Sequence, residues 1–251
     1  MSVTAIRLMV FACVFGGALF GMFLRALLPE HQLSADTKDT VRLGMGLIGT
    51  MSALVLGLLI ASAKGFYDTQ NSELTEMSAK VVLLDRVLAH YGPETKEVRD
   101  LLHSTVARTL DRIWPKDRRQ PPQIDPTAAG GERVYDKILE LSPKNEAQRS
   151  LQAQAASLAI DLGKMRWLML AQGGSFISVP VLVLVVFWLA IIFISYGLFA
   201  PRNPIAIATL FFCAASVSGA IFLIVAMYMP FQGIMQISSA PLRNALAHLG
   251  Q

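Results

Sequence analysis

Residues 179–228 read VPVLVLVVFWLAIIFISYGLFAPRNPIAIATLFFCAASVSGAIFLIVAMY, with Arg202 as the one charge in the stretch. Two apolar runs, Val179–Phe199 and 204–228, flank a short turn built on Pro201, Arg202 and Asn203. A bilayer core of roughly 30 Å takes about 20 apolar residues as helix, because only intrahelical hydrogen bonds satisfy the backbone where water is absent. Each run meets that length, and the short turn makes the two antiparallel neighbours. Trp188 and Tyr196 are aromatic residues of the kind that sit near a membrane interface.

Two further stretches lack Asp, Glu, Lys and Arg: residues 8–24 and 43–63. The first supports a span over about 6–28, with Arg7 and Arg25 snorkelling from its ends. A cleaved signal peptide is the competing reading. Against it, the apolar run exceeds the usual signal-peptide core, the n-region holds a single Arg, and no small-x-small cleavage pattern follows. The second supports a span over 43–63, closed by Arg42 and Lys64. Four spans agree with a composition that is 53% hydrophobic and only 16% charged, and with a mean hydropathy of +0.49. These values exclude a soluble enzyme, a disulfide scaffold and a disordered chain. Cys13 and Cys213 fall inside spans, where each reads as a small buried hydrophobe rather than half of a disulfide.

Cytoplasmic segments retain Lys and Arg. With four spans, Arg7, the cations of 64–166 and Arg243 share one side, and only Arg25, Lys38, Arg42 and Arg202 lie on the other. Both termini and 64–166 are therefore expected in the cytoplasm. The expected organisation is an all-α integral membrane protein. Spans one and two occupy 1–63, a cytoplasmic helical bundle 64–166, spans three and four 167–229, and a C-terminal membrane-proximal segment 230–251.

Within the bundle, Asn71 or Ser72 is placed to cap a helix whose apolar residues Leu74, Met77, Val81, Leu84, Leu88 and Tyr91 recur every three or four residues. Gly92-Pro93 ends it. Pro93 suits the first turn of a second helix, apolar at Val98, Leu102, Val106 and Leu110 and closed by Trp114-Pro115. Four prolines and Gly130-Gly131 make 115–131 a flexible loop. Helix resumes near 131–141. After Pro143 a longer helix carries Leu151, Ala155, Leu158, Leu162, Met165 and Met169 toward span three. The first and last bundle helices are expected to extend spans two and three, and nothing reads as strand.

His31, His90, His103 and His248 lack metal-ligand spacing, and no HExxH, CxxC, Walker or GxGxxG pattern occurs. No catalytic residue, metal, cofactor or nucleic-acid partner is expected. The span cores hold no ionisable residue, which disfavours intramembrane proteolysis and proton-coupled carriage and leaves a passive pathway or a scaffold. Span two carries a small-residue stripe of Gly46, Thr50, Ala53, Gly57 and Ala61 beside a bulky one that includes Met51, Leu54 and Leu58. Small residues either admit a packed neighbour or border a pore, and the pattern leaves both open. Read as a pore, Thr50, Ala53, Leu54, Gly57 and Ala61 line it. Arg42 and Lys64, repeated around an oligomer axis, then form basic rings at its two mouths.

Past the span, Phe66, Tyr67 and Asp68 form an aromatic and polar membrane exit. Residues 229–242 carry no charge, yet their prolines and polar groups do not extend a span. They are expected to form a re-entrant or membrane-surface segment around Pro230, Phe231, Gly233, Ser238 and Pro241.

The strings GLLIASAK at 57–64 followed by Tyr67-Asp68, LAHYGPE at 88–94, Pro230-Phe231-x-Gly233 and ISSxPL at 237–242 resemble the bestrophin-like family of bacterial membrane proteins, over about residues 44–246. Through that family the chain is distantly similar to bestrophins, which are homopentameric anion channels with four spans and a cytoplasmic helical domain. The resemblance implies a homo-oligomer, a pentamer favoured, that passes small inorganic anions across the bacterial inner membrane. Tyr67-Asp68 is similar to the start of the Tyr-Asp-Arg-Trp-Trp stretch that closes the bestrophin pore helix, although Thr69 and Gln70 replace the Arg and first Trp. Ala53, Gly57 and Ala61 are small where the bestrophin neck is bulky. No run of acids matches the calcium clasp of the animal channels, so calcium gating is not carried over.

Two function classes stand at this point. In one, a homo-oligomeric channel concentrates anions at its positive mouths, and the hydroxyls of Thr50 and Ser62 partly replace their hydration. In the other, a non-conducting membrane scaffold or sensor binds a protein partner through its cytoplasmic bundle.

Overall fold

The computed structural model describes residues 3–29, 35–115, 130–173 and 179–250, with no strand among them. Its helices are α1 (Val3–Leu27), α2 (Ala35–Tyr91), α3 (Lys96–Ile113), α4 (Gly130–Leu139), α5 (Glu146–Gly173), α6 (Val179–Phe199), α7 (Pro204–Met227) and α8 (Ala240–His248), with a 3-10 turn at Pro93–Thr95. Four of them, α1, α2, α6 and α7, are long and apolar enough to cross a membrane, as expected. The chain folds as two compact units, Met1–Phe66 with Phe176–Tyr228, and Tyr67–Ser175 with Met229–Gln251.

In the first unit α1 packs on α6 and α7. Val10, Val14, Ala18 and Met22, each four residues from the next, are buried and so share one stripe. Beside that stripe, Gly17 and Gly21 bring backbone against backbone. A methyl group on Gly21 would lie 2.8 Å from the Ile194 carbonyl carbon, and one on Gly197 the same distance from that of Ala18. Lipid tails are as apolar as leucine, so burying one apolar helix on another gains little by itself. Close approach through small residues, with its dispersion contacts, is what holds such helices. Gly17 faces Ala190 and Gly21 faces Ile194, which makes α1 and α6 parallel. Helix α7 returns antiparallel, its Phe211 ring meeting Phe11 and Phe15 edge-on at 5.4 and 5.5 Å, while Arg7 lies over the Phe222 ring.

The turn between α6 and α7 is tied down by polar groups. Asn203 caps α7 by accepting from the Ala206 N–H at 2.7 Å, and Pro204 occupies the first helical position. Arg202 donates from Nη2 to the Met22 carbonyl at 2.8 Å, and Arg25 donates to the Ala200 carbonyl. The two arginines thus cross between the ends of α1 and α6, supplying positive charge where a helix C-terminus favours it. Cys13 and Cys213 are exposed on this unit rather than buried as expected. Each directly precedes a buried residue, Val14 and Ala214, and one residue of helix rotation turns it off the packed stripe.

The second unit closes on a core whose most buried members are Leu74, Leu84, Leu88, Ile138, Ile237 and Leu242, all at most 1% exposed. The apolar faces read along 74–91 and 98–113 are the faces buried here. The helix expected to begin at an Asn71 or Ser72 cap does not begin there. Helix α2 runs through both exposed positions without a break, since an interior turn needs no cap and no proline intervenes before Pro93. Gly92, at φ 136°, ends α2 in a conformation that favours glycine. Thr95 Oγ1 then lies 2.7 Å from the Leu88 carbonyl oxygen and 2.8 Å from that of Gly92, its proton shared between them. Gln148 Nε2 donates to the Tyr91 carbonyl at 3.0 Å, so the final carbonyls of α2 are met by side chains. Helix α4 begins at Gly130, inside the loop expected over 115–131. The rest of that loop, 116–129, and His31 lie outside the described residues.

Candidate functional site

Ser52, Leu59 and Ala63 are the buried residues of α2 within the first unit. They are separated by seven and four residues and so share one helix face. The expected pore-lining residues Thr50, Ala53, Leu54, Gly57 and Ala61 are all exposed and lie off that face. A methyl group on Gly46, Gly49 or Gly57 would meet no atom of another element within 4 Å. The bulky stripe is equally uncovered, with Leu43 78%, Leu54 75% and Leu58 70% exposed. Among the described residues, then, the small stripe of α2 packs no helix. The tight small-residue packing of this unit is between α1 and α6 instead. The sequence signal for it was Gly17-x-x-x-Gly21, a pattern known to bring membrane helices together.

The hydroxyls expected to meet an anion are engaged in the structure. Thr50 Oγ1 donates to the Leu47 carbonyl at 2.8 Å, which leaves only lone pairs to face outward. Ser62 Oγ pairs with the Tyr228 hydroxyl at 3.1 Å. Both departures arise because a hydroxyl in an apolar helix finds a nearby acceptor or donor before a solute does. At the Arg42 end, the guanidinium lies 3.5 Å from Asp39 one turn away, both side chains being largely exposed, and Asp36 and Lys38 are close in sequence. That end therefore carries mixed charge rather than a purely basic ring. Lys64 is exposed where the span leaves the first unit.

The exit residues divide between the units. Phe66 stacks on Tyr228 with ring centroids 5.4 Å apart, inside the first unit. Tyr67 packs against the core of the second, and Asp68 is exposed.

The C-terminal motif contributes to the core of the second unit. Phe231 is 7% exposed and meets Trp114 edge-to-face at 5.9 Å in the core of the second unit. Trp114 Nε1 donates to the Ile237 carbonyl at 2.9 Å, and the Ile237 N–H donates to the Pro230 carbonyl at 2.7 Å. Gly233, at φ 80°, makes the turn between them. Ser238 Oγ accepts from the Ala240 N–H, and Pro241 lies in the first turn of α8. Pro230, Phe231, Ile237 and Leu242 are buried, while Ile234 is 81% exposed.

A family model described as the Bestrophin-like domain matches residues 12–242, and the chain belongs to that family. No curated protein and no solved structure matches it.

Proposed function

We propose that this protein is a homo-oligomeric channel of the bacterial inner membrane that passes small anions, with α2 of each copy turned to a common axis. The observation that carries the reading is the exposure of both stripes of α2 within a single chain, in a helix apolar enough to span. In an assembly, one stripe packs against neighbouring copies and the small one borders the pathway. Family membership supports the same class, and a pentamer follows the resemblance to bestrophins. Both termini and the second unit face the cytoplasm in this reading, in keeping with the division of Lys and Arg.

Selectivity rests on charge at the cytoplasmic mouth. Lys64 repeated around the axis raises the local anion concentration. The wall contributes little, because the Thr50 proton is already given to Leu47. The experiment is recording from purified protein in planar bilayers under asymmetric chloride. A reversal potential near that of chloride supports the channel. A folded, oligomeric protein without conductance leaves the scaffold or sensor.

A further inference from the structure

We propose that the second unit holds a binding site for a single-chain anionic amphiphile, an acyl chain ending in a carboxylate or phosphate. The site is a cavity of about 540 Å³ lined by residues of α2, α3, α4, α5 and the C-terminal segment. Its volume falls within the roughly 300–1,000 Å³ of small-molecule sites.

Two chemically distinct sets of lining residues define the ligand. One is apolar, formed by Val81, Leu84, Leu102, Val106, Phe231 and Leu242. The other holds four arginines, Arg108 and Arg112 from α3, Arg133 from α4 and Arg166 from α5, with Glu132 as the one lining acid. Arg108, Arg112 and Arg133 form no ion pair among the described residues. The start of α4 adds to this positive field: Gly130 and Gly131 line the same cavity, and Arg166 Nη1 lies 3.2 Å from where a Gly131 methyl would sit. A helix N-terminus carries partial positive charge, so cations gathered beside it repel it and one another until an anion enters.

A further observation points to a missing polar partner. Thr105 Oγ1 lines the cavity, is buried, and has no hydrogen-bond partner among the described residues. Thr105 does use its carbonyl, which accepts from Thr109 Oγ1 at 2.8 Å. A free inorganic anion would leave the apolar lining residues wet, and a neutral lipid would leave the guanidinium groups unanswered. A charged head on an acyl chain answers both, and this site is independent of whether α2 conducts.

The test uses full-length protein in nanodiscs of uncharged lipid, titrated calorimetrically with decanoate, dodecanoate and inorganic phosphate, with empty nanodiscs subtracted. Saturable binding is expected, one ligand per chain, tightening about fourfold per added methylene. Inorganic phosphate should bind at least a hundredfold more weakly than dodecanoate. The double variant Arg112→Gln, Arg133→Gln should weaken dodecanoate at least tenfold while keeping the gain per methylene. Gly163 also lines the cavity and has no atom within 4 Å of a methyl placed on it. Gly163→Phe should therefore fill the space and abolish binding with the melting temperature retained or raised, since glycine is a poor helix-interior residue. Uptake no greater than in empty nanodiscs would overturn the proposal. So would phosphate binding as tightly as dodecanoate, or dodecanoate binding that neither the arginine pair nor Gly163→Phe alters.

Discussion

Arg99 on α3 lays its guanidinium flat on the Asp85 carboxylate of α2, Nε to Oδ1 at 2.7 Å and Nη2 to Oδ2 at 2.9 Å. The Gly250 N–H reaches the same Oδ2 at 3.2 Å, so one carboxylate joins α2, α3 and the C-terminal end. The burial is lopsided: the Asp85 side chain is 1% exposed and that of Arg99 21%. Removing the arginine strands a buried anion, whereas removing the acid leaves a cation with a path to water. Arg99→Met should cost about 3–5 kcal/mol, and Asp85→Asn, which keeps an acceptor in place, about 1–2 kcal/mol. Thermal unfolding followed by circular dichroism in mild detergent checks the order, and an equal or reversed pair of losses would refute it.

Glycines in different spans should behave in opposite ways. Gly21→Leu and Gly197→Leu force side chains into opposing backbone and should destabilise the single chain by at least about 1–3 kcal/mol. Gly57→Leu meets no neighbour among the described residues of the chain, so the monomer should melt as wild type. In the proposed channel its face borders the pathway, so the oligomer should also stay intact, and dissociation would place that face between copies. Native mass spectrometry beside thermal melting separates the cases, and an intact oligomer for Gly57→Leu would remove that face from any subunit contact.

Trp114→Phe keeps a ring against Phe231 but withdraws the N–H from the Ile237 carbonyl. A buried acceptor left unmet costs about 1–3 kcal/mol. Amide hydrogen exchange should rise first over 230–239. Unchanged protection there would mean that the bond contributes nothing to holding the segment.

Lys64→Glu tests the charged mouth of the proposed channel. Chloride permeability relative to sodium should fall at low ionic strength and recover in molar salt, where the screening length shrinks to about 3 Å. Folded variant protein with wild-type reversal potentials at both salt levels would place Lys64 away from the ion path.

Glu94 accepts from the Lys144 ammonium at 2.7 Å. That hydrogen bond, with a backbone one, holds its carboxyl below the usual carboxylate range. A depressed acid contributes stability that is fully present above its unfolded value, about pH 4.3 for glutamate, and lost as pH falls through the folded one. Both side chains are substantially exposed, so the contribution is small and sensitive to salt. The melting difference between wild type and Glu94→Gln should exist at pH 7 in low salt and vanish near pH 3. A difference that grows on acidification would reverse the sign argued here.

Charge-free runs long enough to span, the stop at Gly92-Pro93 and the apolar faces of α2 and α3 were legible because each depends on neighbours within a few residues. The seating of Gly21 against Ile194 and of Gly197 against Ala18 was not, since Gly17-x-x-x-Gly21 and Gly57-x-x-x-Ala61 look alike until the opposing helix is known. The packing of residues 229–242 was illegible for a related reason. Absence of charge is the common mark of lipid-facing and core-filling chain, and only the position of Trp114 distinguishes them. For Thr50, composition announces a hydroxyl but not that the Leu47 carbonyl takes its proton.

The crossing of Arg25 and Arg202 also bears on the order of assembly. Arg25 and its acceptor Ala200 are 175 residues apart, so at about 5–20 residues per second α1 waits in the bilayer for roughly ten to thirty-five seconds before α6 is made. During that interval its glycine face has no partner from its own chain, and a lone Gly-x-x-x-Gly helix in lipid readily pairs with another like itself. The nascent α6 must therefore outcompete a second copy of α1, and the two crossed arginines reward only the correct pairing.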